Sequence, residues 1–224
     1  MAFDLVYLGH SAFEIRMDDK SILIDPFLQA TRMYDYRDYN ITDILITHGH
    51  ADHVGNAIDI AKSKRSTITA IFELANYCAS KGTKTFGVNF GSWIKFDWGK
   101  VLFVPAFHSS SSMEGVYTGE PAGIILDVNG VKLYHAGDTS LFSDMKLIKE
   151  LYNPDVAMLP IGGLYTMDIE HAAIAAELIG ATITIPMHYN TFEPIEVDAE
   201  HFNILLQTKG LNCQIMNPED VIQF

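Results

Sequence analysis

Cysteine is nearly absent: only Cys78 and Cys213 occur in 224 residues. One pair builds no disulfide framework of the kind that staples small secreted domains. Each lies in an apolar stretch where a small buried thiol is the default. Basic residues are also few. Lys and Arg number 15 against 28 Asp and Glu, a formal net charge of −13. That deficit speaks against broad nucleic-acid binding, which needs clustered cations to neutralise phosphates. Long apolar runs are missing too, and nothing approaches the ~18 residues of a membrane span. The opening residues have no basic segment ahead of an apolar stretch, and Asp4 and Glu14 interrupt them, so no signal peptide is expected. Repeats, linkers and low-complexity tracts are absent. What is left is an ordinary globular composition, 48% hydrophobic and 19% charged. The expectation is a cytoplasmic, reduced protein with one domain over residues 1–224, long enough to hold a core without disulfides.

Charge is unevenly spread. Residues 60–100 hold seven of the basic side chains (Lys62, Lys64, Arg65, Lys81, Lys84, Lys95, Lys100) and two acidic ones, whereas 101–224 is strongly acidic. The basic stretch reads either as an attractor for an anionic substrate or as a solvated face, and the second is the simpler reading.

Hydrophobic patterning predicts strands at Leu5–Leu8, Phe13–Met17, Ser21–Ile24, Asp43–Thr47, Thr67–Ile71, Lys84–Val88, Trp93–Asp97, Lys100–Pro105, Gly123–Val128, Val131–His135, Val156–Pro160 and Thr182–Pro186. Helices are predicted from His53 to about Lys64, and over Glu73–Lys81, Asp144–Tyr152, Asp168–Ile179 and Asp198–Lys209, the second and last stopped by Gly82 and Gly210. Asn129-Gly130 between two apolar runs signals a tight hairpin. Hairpins mix with helix–strand alternation, so the fold class is α/β or α+β, with sheets covered by helices in layers.

The chemistry concentrates in Thr47-His48-Gly49-His50-Ala51-Asp52-His53, directly after an apolar strand. Three imidazoles and one carboxylate within six residues do not arise from packing, since buried His and Asp demand partners. His48 and His50 can project to one side, and Asp52 and His53 can serve a neighbouring point. His108, Asp138 and His188 each follow a predicted strand, the place where sheet-based sites are assembled. Taken singly, each also reads as a satisfied core or turn residue.

Together, His48-x-His50-x-Asp52-His53, His108, Asp138 and His188 resemble the metallo-β-lactamase superfamily. The likeness extends to Gly9-His10-Ser11-Ala12-Phe13, Ile22-Leu23-Ile24-Asp25-Pro26, His135-Ala136-Gly137-Asp138-Thr139, Pro160-Ile161-Gly162-Gly163 and Pro186-Met187-His188-Tyr189-Asn190-Thr191-Phe192. These segments resemble its branch of small bacterial and archaeal metal-dependent hydrolases, similar to the ascorbate-6-phosphate lactonases. The resemblance implies a four-layer αββα sandwich with a two-metal site at one edge. It implies His48, His50 and His108 at the first ion, Asp52, His53 and His188 at the second, and Asp138 bridging both.

Imidazole and carboxylate donors suit two divalent ions, Zn foremost, with Mn or Fe as alternatives. Two such ions generate hydroxide at neutral pH, which attacks a carbonyl or phosphoryl centre. Asp138 and Asp52 would be the catalytic carboxylates, Asp138 orienting and Asp52 able to hydrogen-bond the nucleophile. Asp25, His10 and Asn190 are candidates for supporting the ligands. His135 reads as structural, His171 as a cap or solvent-facing residue where the branch usually has an acidic one, and His201 as surface. The Ser109–Ser112 run reads as a flexible polar loop. Pocket walls are expected from 27–40, 109–121 and 162–167, with Tyr34, Tyr36 and Tyr39 forming a lid or an oligomer contact.

The leading expectation is a dinuclear hydrolase of a small ester, lactone or phosphoester, anionic ones included, with no nucleic-acid or membrane partner and with homo-oligomerisation left open. The alternatives are a nuclease of the same superfamily, for which 224 residues leave no room for a large RNA-holding insertion, and a metal-binding module without catalysis. Thioester and flavodiiron relatives would need extra domains.

Overall fold

Short, mostly apolar runs become strands in the computed structural model, which describes residues 2–30 and 34–224. The chain divides into two compact units. The first comprises the residues up to Phe90 with Ser109–Pro121 and Asn217–Phe224; the second comprises Gly91–His108 and Ala122–Met216.

The first unit holds β1 (Asp4–Gly9), β2 (Ala12–Arg16), β3 (Ser21–Ile24), β4 (Ile41–Leu45), β5 (Thr67–Ile71), β6 (Lys84–Val88) and β13 (Val221–Gln223) in one seven-stranded sheet. Their order is β13-β1-β2-β3-β4-β5-β6. β13, β1, β2 and β3 pair antiparallel; β3 to β6 pair parallel. Parallel neighbours need crossovers. Helices α1 (Ala51–Val54) and α2 (Ala57–Lys64) connect β4 to β5, and α3 (Phe72–Ser80) connects β5 to β6. Ala57, Ile60, Ala61, Leu74 and Cys78 from these helices share a buried cluster with Val6, Leu8, Leu23, Ile44 and Ile68 of the strands. β1 and β3 are apolar at successive positions and buried along their length apart from Asp4, as suits strands covered on both faces.

The second unit holds β7 (Ile94–Phe96), β8 (Gly99–Pro105), β9 (Ala122–Val128), β10 (Val131–His135), β11 (Val156–Pro160) and β12 (Ile183–Met187), ordered β12-β11-β10-β9-β8-β7. β7 to β10 form an antiparallel meander, and β10 to β12 are parallel. Asn129 (φ 53°) and Gly130 (φ 90°) make the β9–β10 turn with both central residues in the left-handed region, as a two-residue hairpin requires. Helices α4 (Met145–Tyr152), α5 (Ile169–Ile179) and α6 (Ala199–Thr208) complete the unit. Asp168 and Asp198 cap α5 and α6, accepting from the backbone N–H of His171 and Glu200. Each unit is thus a mixed sheet flanked by helices, and the fold class is mixed α/β.

Two expectations change. The single helix predicted from His53 to Lys64 is two, broken at Gly55-Asn56. Gly55 has φ 43°, and a Cβ there would approach Pro26 O to 2.5 Å. Asn56 N–H donates to Pro26 O (2.9 Å), and Asn56 Oδ1 accepts from Leu28 N–H (3.1 Å), so the break docks the chain against the exit of β3. The sequence reading also lacked β13, three residues that pair with β1. Among the described residues, no helix is long and apolar enough to cross a membrane.

Candidate metal-ligating residues

In the first unit, β4 ends at Leu45 and the chain runs through Thr47 to His53 into α1. Asp25 stands one residue beyond β3, fully buried and with φ 44°. Asp is one of the few side chains that tolerate this region. Its carboxylate is densely engaged. Oδ1 accepts from Thr47 N–H (2.8 Å), and Oδ2 accepts from Thr47 Oγ1–H (2.6 Å) and His53 Nδ1–H (2.7 Å). The Thr47 hydroxyl has one proton and gives it to Asp25. Facing His48 Nδ1 at 3.0 Å, its oxygen is therefore an acceptor, which fixes the tautomer of His48. Both His48 and His53 are left with the Nε2 lone pair outward. This is the arrangement that a metal-ligating imidazole takes from its outer partners.

His48 Nε2 lies 2.9 Å from His50 Nδ1, so two imidazole donors converge. Gly49 between them lies hard against the loop 109–121: a Cβ there would collide with Thr118 Oγ1. Gly49 N–H donates to Ser110 Oγ (3.1 Å), and Ser110 and Thr118 share a hydroxyl hydrogen bond (2.7 Å). His10, Asp52 and His53 each offer an atom within 4.8 Å of the others, and His10 Nε2 stands 3.1 Å from Asp52 Oδ2.

In the second unit the donors leave three different strands. His108 follows β8, Asp138 follows β10 after Gly137, and His188 follows β12 directly. Asp138 Oδ2 lies 3.5 Å from His108 Nε2 and 3.2 Å from His188 Nε2, so one carboxylate oxygen serves two imidazoles. Two hydrogen bonds hold these exits: Phe107 N–H donates to Thr139 Oγ1 (3.0 Å), and Ser140 N–H to Phe107 O (3.1 Å). His188 has φ 55°, and its carbonyl oxygen sits where a Cβ on Gly162 would be. The set is imidazoles and carboxylates, and buried partners orient His48 and His53. In chemistry the set fits divalent transition ions.

Residues 4–188 match the model of the beta-lactamase superfamily domain. A UPF0173 metal-dependent hydrolase of Geobacillus thermodenitrificans is 48% identical over 206 residues, covering 89% of this chain and 91% of that protein. One of Staphylothermus marinus is 44% identical over 228 residues, covering 97% of both. The chain belongs to this family of metal-dependent hydrolases. Its fold matches that of Igni18, a metallo hydrolase of Ignicoccus hospitalis, with a TM-score of 0.92 and 37% identity over 100% of this chain and 99% of that one. The family has the metallo-β-lactamase fold, and the two mixed sheets with their helices are this chain's version of it.

The other residues singled out in the sequence fall as follows. His135 is buried in β10 and accepts from Gly137 N–H (3.2 Å). The exposed ring of His171 stands 3.4 Å from Asp168 on the first turn of α5, and His201 is exposed on α6. Asn190 is exposed, and its Oδ1 accepts from Val197 N–H (2.8 Å), which ties its own loop. The serine run differs from the flexible loop expected. Ser110 and Ser112 are buried; Ser112 Oγ accepts from the N–H groups of Glu114 and Val116, and Ser110 braces Gly49. Within 27–40, residues 31–33 lie outside the described ones. Tyr34 stacks on Tyr39 (4.9 Å), Arg16 lies over Tyr39, and all three tyrosines pack against the core of the first unit. Burial, with Glu14 beside it, holds the Tyr34 phenol well above the usual tyrosine range. Neither thiol is poised to react: burial pushes Cys78 up to about 11 and Cys213, only half-buried, up to about 12.

Sequence reasoning missed Thr47, Ser110 and Thr118. Thr47 precedes the histidine motif directly, so its position was a usable signal. Ser110 and Thr118 carry none, because buried and exposed loop hydroxyls look alike in a sequence.

Proposed function

We propose that the chain hydrolyses a small ester, lactone or phosphoester, anionic ones included, through two divalent metal ions, with residues 1–224 acting as one hydrolase domain. His48, His50 and His108 hold one ion, and Asp52, His53 and His188 hold the other. Asp138 is shared between them, as its one oxygen facing two imidazoles suggests. The observation that carries the reading is the Asp25–Thr47 network, which leaves His48 and His53 with their Nε2 lone pairs outward.

Bound there, the ions would supply a water of lowered pKa and a Lewis acid for the attacked oxygen. The protein's own residues do the rest. Asp25 and Thr47 keep two imidazoles in the ligating tautomer. Asp138 neutralises charge and sets the spacing of its two histidines. Asp52 would also hydrogen-bond the attacking water. Zinc is the first choice of metal, manganese and iron the next.

The test is elemental analysis of chelator-free protein, followed by an activity screen on lactones, phosphomonoesters, phosphodiesters and thioesters, with Asp138→Ala as the control. Two ions per chain and a metal-dependent activity that the variant loses are expected. A chain that neither carries a transition metal nor binds one on titration would sink the proposal.

A further inference from the structure

We propose that His10 is a direct metal ligand, joining Asp52 and His53 as a third donor from the first unit to a divalent first-row transition ion. The inference rests on the metal-hydrolase reading above and adds a residue which that reading leaves out of the ligand set.

His10 occupies a costly position. It sits in the turn between β1 and β2 with φ 56°, after Gly9 at φ 93°. A non-glycine residue held in the left-handed region costs of order 1–3 kcal/mol unless its surroundings compel it. Glycine or asparagine would make the same turn more easily. The side chain is also buried, at 1% exposure. Two contacts fix it: Tyr7 Oη–H donates to the His10 carbonyl (3.0 Å), and the imidazole meets the Phe27 ring edge-on at 5.5 Å. A buried imidazole on an unfavourable backbone, pinned from two sides, is there for what its ring does.

The ring reaches more than one partner. Nε2 lies 3.1 Å from Asp52 Oδ2. The donor atoms of His10, Asp52 and His53 all lie within 4.8 Å of one another. Ligand atoms at about 2.0–2.2 Å from a common ion are separated by about 3 Å when adjacent and a little over about 4 Å when opposite. The His10–Asp52 separation suits adjacent ligands. A residue present only to steer Asp52 has to reach one oxygen; His10 also keeps its nitrogen near a ring nitrogen of His53, which needs no steering from that side because Asp25 already holds it. Two imidazoles and a carboxylate form a donor set for Zn, Mn or Fe.

The decisive measurement uses the unaltered chain. Protein labelled with nitrogen-15 histidine and loaded with cadmium-113 ions shows a metal–nitrogen coupling for each ligating imidazole. Six coupled histidines are expected: His10, His48, His50, His53, His108 and His188. Five, with His10 uncoupled, overturns the inference and leaves the metal-hydrolase reading intact. No cadmium binding at all defeats that reading and the inference with it. Calorimetric titration of His10→Gln adds a second readout. One ion should bind more than about 100-fold more weakly and the other as before, while the surface control His201→Gln binds both as the native chain does. A loss within the roughly 10–100-fold range typical of an outer-shell partner overturns the ligand assignment, because His10 then only positions Asp52. Should His10→Gln fail to fold, the cadmium count alone decides.

Discussion

The two units use one architecture, an antiparallel run of strands that turns parallel, yet they present their donors in opposite ways. In the first, His48, His50, Asp52 and His53 come from one short stretch after β4, the last two on α1, and side chains orient His48 and His53. Asp25 and Thr47 stand behind His48 and His53, and Ser110 braces the glycine between His48 and His50. In the second, His108, Asp138 and His188 leave three strands, and the supports tie one strand exit to another. These are the ties between Phe107, Thr139 and Ser140, and the clearance that Gly162 gives the His188 carbonyl. A local cluster needs tautomer control because its imidazoles crowd. A dispersed set needs its strand ends held in register.

That contrast is most exposed at Asp25. Asp25→Ala leaves three buried donors without their acceptor, at about 1–3 kcal/mol each. We expect a loss of about 3 kcal/mol or more in denaturant unfolding, with metal affinity falling in parallel. Asp25→Asn, which accepts the same φ, should keep most of the stability and still lose about 10–100-fold in metal affinity. Equal metal affinity in the native and Asp25→Asn proteins would remove tautomer control from the account of the first unit.

The next effect separates side-chain from backbone support. Gly49→Ala meets a threonine hydroxyl, and Gly162→Ala meets a carbonyl. Each is expected to cost about 1–3 kcal/mol in thermal or denaturant unfolding. Thr118→Ala should largely rescue the first, whereas trimming Ile195, the other group near Gly162, should not rescue the second. Rescue in both units would mean that the second is no more backbone-bound than the first.

The same difference governs what can be seen in the sequence. Strands β3, β5, β6, β10 and β11 occupy the residues that periodicity gave them, because alternation and β-branching are local properties. The histidine motif is legible for the same reason, four donors in six residues. His108, Asp138 and His188 lie 30 and 50 residues apart, and each alone reads as a turn residue. Resemblance groups them; what places Asp138 near the other two is the order of β8, β10 and β12 in the sheet, a non-local fact. The break at Gly55 and the buried hydroxyls of Ser110 and Thr118 depend on tertiary contacts that leave no periodic trace.

Smaller effects remain. Both thiols should react with a disulfide reagent at pH 8 at least about tenfold more slowly than a free cysteine of ordinary pKa, Cys78 slowest because it is fully buried, and both should become reactive on unfolding. Fast labelling of Cys213 alone would mark the second unit as the looser one. The smallest concerns the 109–121 loop, where Glu114 accepts from Lys81 Nζ (2.8 Å) and Tyr77 Oη (2.7 Å). Lys81 first, then Tyr77 and Ser112, hold the Glu114 carboxyl down from 4.5 to about 2. The contribution is therefore present above the ordinary value and disappears as pH falls through about 2. The stability gap between native and Glu114→Gln protein should be steady from about pH 7 to 5 and close below about pH 4. A gap that widens on acidification would show the pairing to be irrelevant.

β13 gives the chain an order of assembly. The strand beside β1 lies more than 210 residues downstream of it, and the whole second unit is synthesised in between. Until β13 arrives, β1 is an open edge, free to pair with whatever strand it meets. Long-range strand pairing of this kind is also slow. The hazard for this protein is thus greatest during translation, when the second unit can already close while the sheet that carries His10 and the histidine loop still waits for its last neighbour.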